Sequence, residues 1–531
     1  SNIIPMKLLT PEEKKRQSEE TVCSICREEL SLTERVADHC HLTGKYRGPA
    51  HNQCNLEYQI AKFIPVFFHN FSAYDAHLFV KELANFDGEI QLLALNKEKY
   101  ISVSKRIQID QDEKKSIEIR FLDSFRFMAA SLSSLASNLD DDSLKITKSF
   151  FTNNLKFNLM KRKGVFPYDY LNSEDRLKET QLPPQSAFHN KLNNEKCNAI
   201  DYAHAVNVWK TFECKTLSDY LLLYLKVDVL LLTDVFEQFR KLCKNIYGLD
   251  PCQFYTAPGL SWEAMLKLTN IKLELFTDIT MNSFIMKGIR GGITQCCKRY
   301  SSANNKYLSD FDNSKPSNYL MYFDVNNLYG QAMLQHLPIN SSEWLENVDN
   351  FNVFNIADDS PIGYILEVDL EYPKDLHDYH NDLPFCAENK KVGKQSKLIT
   401  DLKDKEHYII HYRNLRQCLD HGLKLTKIHR ILKFAQSNWL AQYIQLNNHH
   451  RTLSKNKFEE NFFKLLNNPI FGKTMENVEK RVDIKLVQHW ENTSRRIGRA
   501  RLGARAYIAR PNFNSSAVFS DNLIAIQLKR S

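Results

Sequence analysis

The chain has 531 residues, 43% of them hydrophobic and 25% charged, and this ordinary globular composition excludes a fibre or a wholly disordered chain. At this length we expect roughly three or four domains. The formal net charge of +8 permits a phosphate-rich partner without requiring one. The most apolar stretch, residues 220–236, is interrupted by Lys226, Asp228 and Asp234, and the N-terminus has no apolar segment of signal-peptide length. The sequence therefore predicts an intracellular protein with no membrane span.

The first 60 residues are rich in cysteine and histidine and poor in large apolar residues. Cys23-x-x-Cys26 and His51-x-x-Cys54 form two pairs separated by 24 residues. Four ligands at this spacing can close tetrahedrally on zinc. The alternative, a small buried cluster with free thiols, is disfavoured because the segment has little apolar core around it. We predict a zinc module over residues 1–60.

Between the two pairs lie Asp38, His39 and His41, and Asn55 follows the second pair. An imidazole beside a carboxylate, with an amide nearby, can activate water and hold a hard cation against a scissile phosphate. The pattern resembles the recombination endonuclease VII group of HNH nucleases. The resemblance implies that Asp38 and Asn55 hold a catalytic metal and that His39 is the general base, with His41 in support. One departure is His51, which stands where that group usually has a cysteine.

From residue 63 onward, short apolar runs alternate with helical periods, which predicts an α/β protein with several domains. Residues 64–70 and 119–125 are predicted strands, and residues 217–239 a long buried helix. A weak boundary follows near Pro251 and Pro258. Residues 319–325 are predicted to form a strand, and residues 435–480 a pair of helices, the second of which ends at Pro469.

Two carboxylates in this region are candidates for an exonuclease site. Asp75 lies on the loop predicted to lead into a helix, and Tyr224 and Asp228 are one helical turn apart, so they point the same way. Two-metal hydrolysis needs several carboxylates and a group that orients water, so Asp75 and Asp228 could hold metal and Tyr224 could orient the water. The arrangement resembles the second and third proofreading motifs of family B DNA polymerases.

The segment of residues 122–135 resembles the one that contacts the single-stranded primer end in that family. The resemblance implies that Asn70, Ser131 and Leu132 contact DNA. The first proofreading motif, Asp-x-Glu, does not occur upstream. We therefore expect the exonuclease fold, which is ribonuclease H-like, without hydrolysis.

The predicted strand at residues 319–325 contains Asp324, and Tyr329 follows five residues later at the start of a predicted helix. An aspartate at a strand end can hold Mg²⁺, and a rigid aromatic beneath the incoming sugar leaves no room for a 2′-hydroxyl. Ordinary helix capping by the aspartate is the alternative. The segment resembles motif A of family B polymerases, which implies that Asp324 holds the metals and Tyr329 excludes ribonucleotides.

Four residues around Pro469 have the spacings i, i+4, i+7 and i+8, which would place them on one face of a helix that the proline is expected to kink: Lys464, Asn468, Phe471 and Gly472. A lysine neutralises triphosphate charge, an asparagine reaches the nucleotide, and an aromatic and a glycine let the base pair lie flat. This resembles motif B, with Pro469 where the family has serine. Arg451 is a candidate second contact to the triphosphate, or else a solvated arginine.

Ile289-x-Gly291-Gly292 resembles the Y-x-G-G loop that links exonuclease and polymerase domains, which implies that Gly291 and Gly292 touch template, although an ordinary turn is the alternative. Six arginines between residues 494 and 510 have no acid among them, so the stretch could bind phosphate backbone or be a solvated loop: Arg495, Arg496, Arg499, Arg501, Arg505 and Arg510. Motif C, Asp-Thr-Asp, does not occur after Gly472.

The order of these motifs resembles a protein-primed family B DNA polymerase, of the kind carried by viruses and self-synthesising transposons. The resemblance implies a zinc module (1–60), an exonuclease-like domain (61–250) and an incomplete palm and fingers (251–531). It also implies Zn²⁺ and Mg²⁺ or Mn²⁺ as cofactors, DNA template and primer, deoxynucleoside triphosphates and a terminal priming protein as partners, a monomer and a nuclear location.

The chain begins with Ser and lacks motif C, so we expect a piece of a longer enzyme that is inactive alone. The alternatives are an HNH nuclease and a zinc-dependent DNA-binding protein without chemistry.

Overall fold

The computed structural model describes residues 5–529 apart from 27, 41–43, 58–62, 87, 97–98, 109–115, 193, 477–480, 482, 492, 495–499, 502–503 and 521–522. The chain forms two compact units. The first contains Ser1–Leu132, Cys252–Thr256 and Asn477–Ser531, and the second contains Ser133–Pro251 and Ala257–Glu476.

The described residues contain both helices and strands throughout, which confirms the α/β fold class. The helices are α1 (Pro11–Glu19), α2 (Asn52–Glu57), α3 (Asp75–Leu83), α4 (Leu132–Ser137), α5 (Lys145–Phe150), α6 (Asn154–Met160), α7 (Ala199–Thr211), α8 (Leu217–Tyr247), α9 (Ala257–Thr269), α10 (Ile279–Gly288), α11 (Leu328–Met333), α12 (His377–His380), α13 (Tyr412–Asp420), α14 (Ala441–Thr452), α15 (Lys457–Thr474) and α16 (Ala504–Ile508). The strands are β1 (Arg35–His39), β2 (Tyr46–His51), β3 (Phe63–Phe68), β4 (Ile90–Ala94), β5 (Tyr100–Gln108), β6 (Ser116–Asp123), β7 (Leu337–Trp344), β8 (Ile362–Glu371), β9 (Glu388–Val392), β10 (Gln395–Ile399), β11 (Lys405–His411), β12 (Lys424–Ser437), β13 (Asp483–Val487), β14 (Thr493–Ser494), β15 (Ala500–Arg501), β16 (Phe513–Ser520) and β17 (Leu523–Leu528).

The first unit is built on a four-stranded mixed sheet with the order β3-β6-β5-β4. Strands β3 and β6, both predicted from their apolar runs, pair in parallel, and Phe68 lies opposite Asp123 at their shared end. Phe71, Val80 and Tyr100 are buried in the core of this sheet together with Leu523 of β17. The parallel pair therefore brings the ends of two strands to the same edge, where the segment with Asn70 and Asp75 begins.

The Cys/His module has almost no hydrophobic core, as its composition predicted. Strands β1 and β2 form an antiparallel hairpin with an irregularity between Asp38 and His39. Its buried hydrophobic residues are Cys23, Leu30 and Ala50. So small a core needs additional stabilisation to hold its fold.

The second unit contains the long helix α8, whose start and stop are set by local chemistry. Thr216 and Asp219 form a reciprocal capping box at its beginning, and Gly248 adopts a left-handed φ of 64° at its end. Leu231 and Phe239 on its inner face are fully buried. The predicted long buried helix is thereby confirmed. No helix among the described residues is both long and apolar enough to cross a membrane.

A buried hydrogen-bond network joins α8 to α14 and α15. The Tyr247 hydroxyl donates to Asn447 Oδ1 at 2.5 Å, and Asn447 Nδ2 donates to Asn467 Oδ1 at 2.7 Å. Asn467 Nδ2 in turn donates to Asn448 Oδ1 at 3.1 Å. Because each group lies in or beside the core, these bonds satisfy polar atoms that would otherwise be costly to bury.

A four-stranded antiparallel sheet with the order β11-β8-β12-β7 lies in the chain between Asp324 and α15. Alternate residues of β8, such as Leu366, Val368 and Leu370, are buried against α13 and its neighbours. Strands β9 and β10 pair with each other as a short antiparallel hairpin.

Two local predictions are wrong. Residues 319–325 form no strand, and no described strand pairs with them, so their backbone lacks the partner that strand formation requires; Tyr322 is 93% exposed. Helix α15 does not end at Pro469 but continues to Thr474. Leu466 and Ile470 are fully buried, and the Tyr443 hydroxyl donates to the Leu466 carbonyl at 3.2 Å, so tertiary packing outweighs the missing proline N–H.

Candidate nucleotide and metal sites

Helices α11 and α15 bring the motif A tyrosine and the motif B phenylalanine together. The rings of Tyr329 and Phe471 stack with centroids 4.3 Å apart and planes 10° apart. Helix α11 begins directly after Asn327, which has a left-handed φ of 56°. A Cβ atom on Gly330 would overlap the end of the Asn327 side chain, so a larger residue there would require that side chain to move. The structure therefore places two separately predicted nucleotide contacts against each other.

The other motif B residues share the exposed side of α15. Lys464, Asn468 and Gly472 are exposed, whereas Leu466 and Ile470 are buried. Nothing lies within 4 Å of a Cβ built on Gly472, so the helix surface is open at that position. The face predicted from the spacing is present, and three of its four residues are exposed, while Phe471 is covered by the Tyr329 ring.

Arg451 lies in the last turn of α14 and is paired rather than merely solvated. Its Nη2 lies 3.3 Å from Glu460 Oε1, and Lys457 Nζ lies 2.7 Å from Glu460 Oε2. Hydrogen bonds from Lys457 and Arg451 lower the pKa of the Glu460 carboxyl. A triphosphate would have to compete with this carboxylate for Arg451.

Asp324 is exposed in the irregular segment that precedes α11. Among the described residues, no group of three or more carboxylate, imidazole or thiolate ligands forms around it. One carboxylate does not suffice for two ions, because a two-metal site is a clamp on both reacting oxygens.

The Gly291–Gly292 loop is exposed, and Gly292 has a left-handed φ of 80° that favours glycine. The residue before it is anchored: Arg290 Nη1 donates to the Ile409 carbonyl at 2.6 Å, and its guanidinium lies 3.9 Å from the centroid of the Tyr408 ring. Both glycines offer open backbone to a ligand, since nothing lies within 4 Å of a Cβ built on either.

In the second unit, Tyr224 and Asp228 lie on one side of α8, as predicted, and the structure adds two partners that sequence reasoning missed. The Tyr168 hydroxyl donates to the Tyr224 hydroxyl at 2.9 Å, and Lys163 Nζ donates to Asp228 Oδ2 at 2.5 Å. Asp228 Oδ1 is buried with no hydrogen-bond partner. Burial raises the pKa of Tyr224 to about 12, so its hydroxyl stays protonated at neutral pH. The only sequence signal for these two partners is their spacing, since Lys163 stands five residues before Tyr168 in an aromatic segment.

In the first unit, Asp75 is the first residue of α3, and burial together with the nearby Asp123 raises the pKa of its carboxyl. Asp123 is itself almost fully buried and accepts hydrogen bonds from the backbone N–H groups of Asn70, Ser72 and Phe125. Sequence reasoning missed Asp123, which holds the turn that positions Asn70. The Asn70 side chain is exposed, and the backbone of this residue has a left-handed φ of 73°.

The two residues predicted to contact the primer differ in exposure. Ser131 is exposed, but Leu132 is 9% exposed and contributes to the core. Only the serine side chain therefore presents itself to a ligand in this conformation.

Cys23, Cys26, His51 and Cys54 converge, with one ligand atom of each lying within 4.8 Å of the others. His51 Nδ1 is 3.3 Å from Cys26 Sγ and 3.7 Å from Cys54 Sγ, while its Nε2 is 2.9 Å from the Glu29 carbonyl. A proton on Nε2 would orient the ring and leave Nδ1 for a metal, as outer-shell hydrogen bonds commonly do. Although burial of the Cys23 thiol opposes ionisation, backbone N–H donors lower its pKa to about 6. This donor set fits a tetrahedral ion.

Among the residues of the endonuclease-like pattern, Asp38 is already bound by an arginine. It is 1% exposed, and Arg47 donates from Nε to Oδ2 at 2.7 Å and from Nη2 to Oδ1 at 2.5 Å. His39 follows at the end of β1, and Asn55 is partly buried in α2. A metal ion at Asp38 would have to displace the guanidinium. His41 lies outside the described residues.

The basic stretch near the C-terminus is only partly described. Arg495, Arg496 and Arg499 lie outside the described residues, and nothing is described of the Arg501 side chain. Arg505 pairs with Glu491 at 2.8 Å in an exposed ion pair, and the Arg510 guanidinium lies 4.5 Å from the Tyr507 ring centroid.

Comparison with known proteins places these features in a family. Residues 56–513 match the family described as DNA polymerase type B, organellar and viral, and the chain belongs to that family. Residues 4–75 match the recombination endonuclease VII family. Both resemblances predicted from the sequence are thus confirmed. A search of curated proteins finds no match.

Among solved structures, the chain is similar to phi29 DNA polymerase in its ternary complex with primer-template DNA and incoming nucleotide, with 15% identity and a TM-score of 0.48 over 83% of this chain and 64% of that one. An orthorhombic crystal form of the phi29 polymerase gives 15% identity and a TM-score of 0.44 over 83% and 63%. The chain therefore spans about 64% of the length of that polymerase.

Proposed function

We propose that this chain selects deoxynucleotides and contacts template as part of a DNA-directed DNA polymerase. The observation that carries the proposal is the stacking of Tyr329 on Phe471 beside the exposed Lys464 and Asn468. A lysine, an amide and an aromatic pair on one open surface provide charge for a triphosphate, a hydrogen bond for the nucleotide and a flat wall for its base and sugar. Family membership supports the same assignment.

Nucleotide addition would use two divalent ions, Mg²⁺ or Mn²⁺, which activate the attacking hydroxyl and neutralise the leaving pyrophosphate. In this chain Asp324 would supply one carboxylate to them. Lys464 would hold the triphosphate by charge, and Tyr329 would exclude a ribose 2′-hydroxyl. We propose that the chain alone binds nucleotide and template without transfer, because the described residues gather no further carboxylates around Asp324.

The primer, by this proposal, is a protein hydroxyl supplied by a terminal protein, and the enzyme works as a monomer in the nucleus. Support for these points is the resemblance to the protein-primed group.

We also propose that the exonuclease-like residues keep their fold without completing a two-metal site. Asp228 has an open, buried oxygen Oδ1 that could serve as a metal ligand, but Lys163 already neutralises Oδ2. The resemblance to the family B proofreading motifs assigns Asp75, in the first unit, a metal-binding role as well.

For the Cys/His module we propose a structural zinc site that clamps DNA without cutting it. The contact that favours this over an HNH nuclease is Arg47, which occupies both oxygens of Asp38. A nuclease would need that carboxylate for its own metal. The distinguishing experiment is nicking of supercoiled plasmid by the zinc-loaded chain with Mg²⁺, for wild type and His39→Ala. Nicking that disappears in His39→Ala would overturn the non-catalytic assignment.

The polymerase assignment is tested by nucleotide binding to the intact chain. Lys464→Ala should weaken deoxynucleoside triphosphate binding about tenfold or more, since it removes a direct charge on the triphosphate. Lys391→Ala removes an exposed lysine on β9; it is the control and should bind as wild type does. Equal affinity of Lys464→Ala and wild type would contradict the proposal.

A further inference from the structure

Two cysteines of the second unit, Cys386 and Cys418, lie in direct contact although they are 32 positions apart in the chain. Their Sγ atoms are 3.6 Å from each other. Cys386 lies in the loop that leads into β9, and Cys418 lies in α13. We propose that Cys386 and Cys418 form a redox-active thiol pair that closes reversibly to an intramolecular disulfide.

The geometry requires only a small movement for the bond to form. A disulfide has an S–S length of about 2.05 Å, so the two sulfur atoms must approach by about 1.5 Å. Cys418 is held in a helix and is 3% exposed, whereas Cys386 lies in a loop and is partly exposed. The movement therefore belongs to the Cys386 side, where rotation of the side chain and a small loop shift can supply it.

The backbone at Cys386 is unusual in a way that fits a functional position. Its φ is 60°, a left-handed conformation that is uncommon for residues other than glycine and asparagine. Such strain persists only where the surroundings hold it, and it concentrates at functional sites. Here Phe385, the preceding residue, is held by its backbone N–H, which donates to the Tyr372 hydroxyl at 3.3 Å.

The two thiols have different electrostatic surroundings. The hydrogen bond with Cys418 and the charges of Lys405 and Arg290 lower the pKa of the Cys386 thiol, against the opposing effect of its burial. The same hydrogen bond, together with burial, raises the pKa of the Cys418 thiol. Because the thiolate is the nucleophile in thiol chemistry, Cys386 is the attacking residue and Cys418 the resolving one.

A small oxidant can reach the pair from solvent. A cleft of about 410 Å³ is lined by both cysteines and by Arg290, Tyr408, Asn414 and Gln417. A peroxide is far smaller than this cleft, so it can reach the two sulfur atoms. We therefore take a small peroxide as the oxidant.

The reaction balances with hydrogen peroxide as the oxidant. The Cys386 thiolate attacks one peroxide oxygen, the O–O bond breaks, and hydroxide leaves and takes up a proton as water, which yields a sulfenic acid on Cys386. The Cys418 sulfur then attacks the sulfenic sulfur, the S–O bond breaks, and the hydroxyl leaves with the Cys418 proton as a second water. Two thiols are oxidised to one disulfide, and one peroxide is reduced to two waters.

The experiment treats the zinc-loaded full chain with hydrogen peroxide, blocks the remaining thiols by alkylation and digests it without reduction for mass spectrometry. We expect a cross-linked peptide pair that joins residues 386 and 418, lighter by two hydrogen atoms than the two thiol peptides, and released by dithiothreitol. Cys214→Ser changes a partly buried cysteine elsewhere in the same unit and is the control, which should keep the cross-link.

Single variants separate the two roles. Cys386→Ser should abolish the cross-link and leave Cys418 alkylatable only after unfolding, whereas Cys418→Ser should leave a sulfenic acid on Cys386 that dimedone traps. Should Cys418→Ser fail to fold, Cys418→Ala provides the same readout. The proposal is overturned if both cysteines of the wild type remain as thiols after oxidation, or if Cys386 is found joined only to other cysteines.

Discussion

The Tyr329 ring lies flat on the Phe471 ring, with their centroids 4.3 Å apart, so a residue before the sheet β11-β8-β12-β7 is packed on a residue after it. This contact joins α11, which is only six residues long, to the long helix α15. Each aromatic therefore limits where the other can lie. A substitution at either ring should change the free energy of unfolding, and the effect on nucleotide choice can be measured in a separate experiment.

The energetic link between the rings can be measured with a double-mutant cycle. Stacked aromatic pairs contribute about 0.5–1.5 kcal/mol beyond the area they bury. Tyr329→Ala and Phe471→Ala should therefore show a coupling free energy of that size in urea unfolding. Phe471→Tyr keeps the ring and should keep the coupling. Strictly additive effects of the two alanine variants would show that the contact is not stabilising.

Nucleotide choice should depend on the Tyr329 ring itself. Tyr329→Ala should reduce the preference for deoxynucleotides over ribonucleotides about tenfold or more, because the side chain that meets the 2′-hydroxyl is gone. Tyr329→Phe retains the ring and should retain the preference. The measurement is the ratio of binding constants for dATP and ATP, and an unchanged ratio in Tyr329→Ala would argue against Tyr329 as the discriminating residue.

Zinc should bind at one ion per chain and should hold the Cys/His module together. Cys54→Ala should lose the ion and expose residues 5–57 to protease, because structural zinc supplies folding free energy directly. Cys40→Ala changes a cysteine of the same module that is not one of the four converging ligands and should keep the ion. Elemental analysis of purified protein gives the stoichiometry, and retention of zinc by Cys54→Ala would refute this ligand set.

The Lys163–Asp228 ion pair should contribute much more to the free energy of unfolding than the Lys161–Asp141 ion pair. Its side chains are 29% and 21% exposed, so Lys163→Met would leave a largely buried carboxylate uncompensated and should cost about 2–3 kcal/mol of unfolding free energy. Adding Asp228→Asn should recover most of that loss. Lys161→Met breaks a pair with Asp141 that is 37% and 57% exposed and should cost less than about 0.5 kcal/mol. Equal losses in the two lysine variants would contradict this ranking.

Stability should fall as the pH drops below about 6.5, in part because of His411. Burial lowers the pKa of this imidazole to about 4, and the neutral Nδ1 accepts from the Arg413 N–H at the start of α13. Between pH 6.5 and 4 the unfolded chain binds a proton that the folded chain does not, so acidification should cost on the order of 3 kcal/mol from this group. His411→Asn keeps a capping side chain without titrating. Urea unfolding at pH 7.5 and 4.5 should show a smaller pH dependence for that variant, and an unchanged dependence would exclude His411 as the source.

Sequence periodicity was sufficient for elements whose stability is encoded locally. The apolar runs of β3 and β6, the capped helix α8 and the face of α15 that carries Lys464 and Asn468 were all predicted. Periodicity failed at residues 319–325, because a strand also depends on a neighbour that the segment's own residues do not specify. It failed again at Pro469, where burial of Leu466 and Ile470 outweighs a local helix breaker.

The partners of the site residues were harder to predict than the residues themselves. Arg47 on Asp38 and Lys163 on Asp228 are single charged side chains with no motif of their own. Their pairing depends on chain segments that meet only after folding, and in the second case the two residues are 65 positions apart. The sequence therefore predicted the carboxylates as metal ligands but did not predict the arginine and the lysine that neutralise them.

The buried chain of hydrogen bonds from Tyr247 through Asn447 to Asn467 limits how the open surface of α15 can move. A one-residue rotation of this helix turns each side chain by about 100° and would carry Asn467 away from its partners, stranding amide groups among apolar neighbours. Twisting or sliding of α15 by itself is thus costly. Any opening or closing over a nucleotide would therefore move α8, α14 and α15 together as one rigid group.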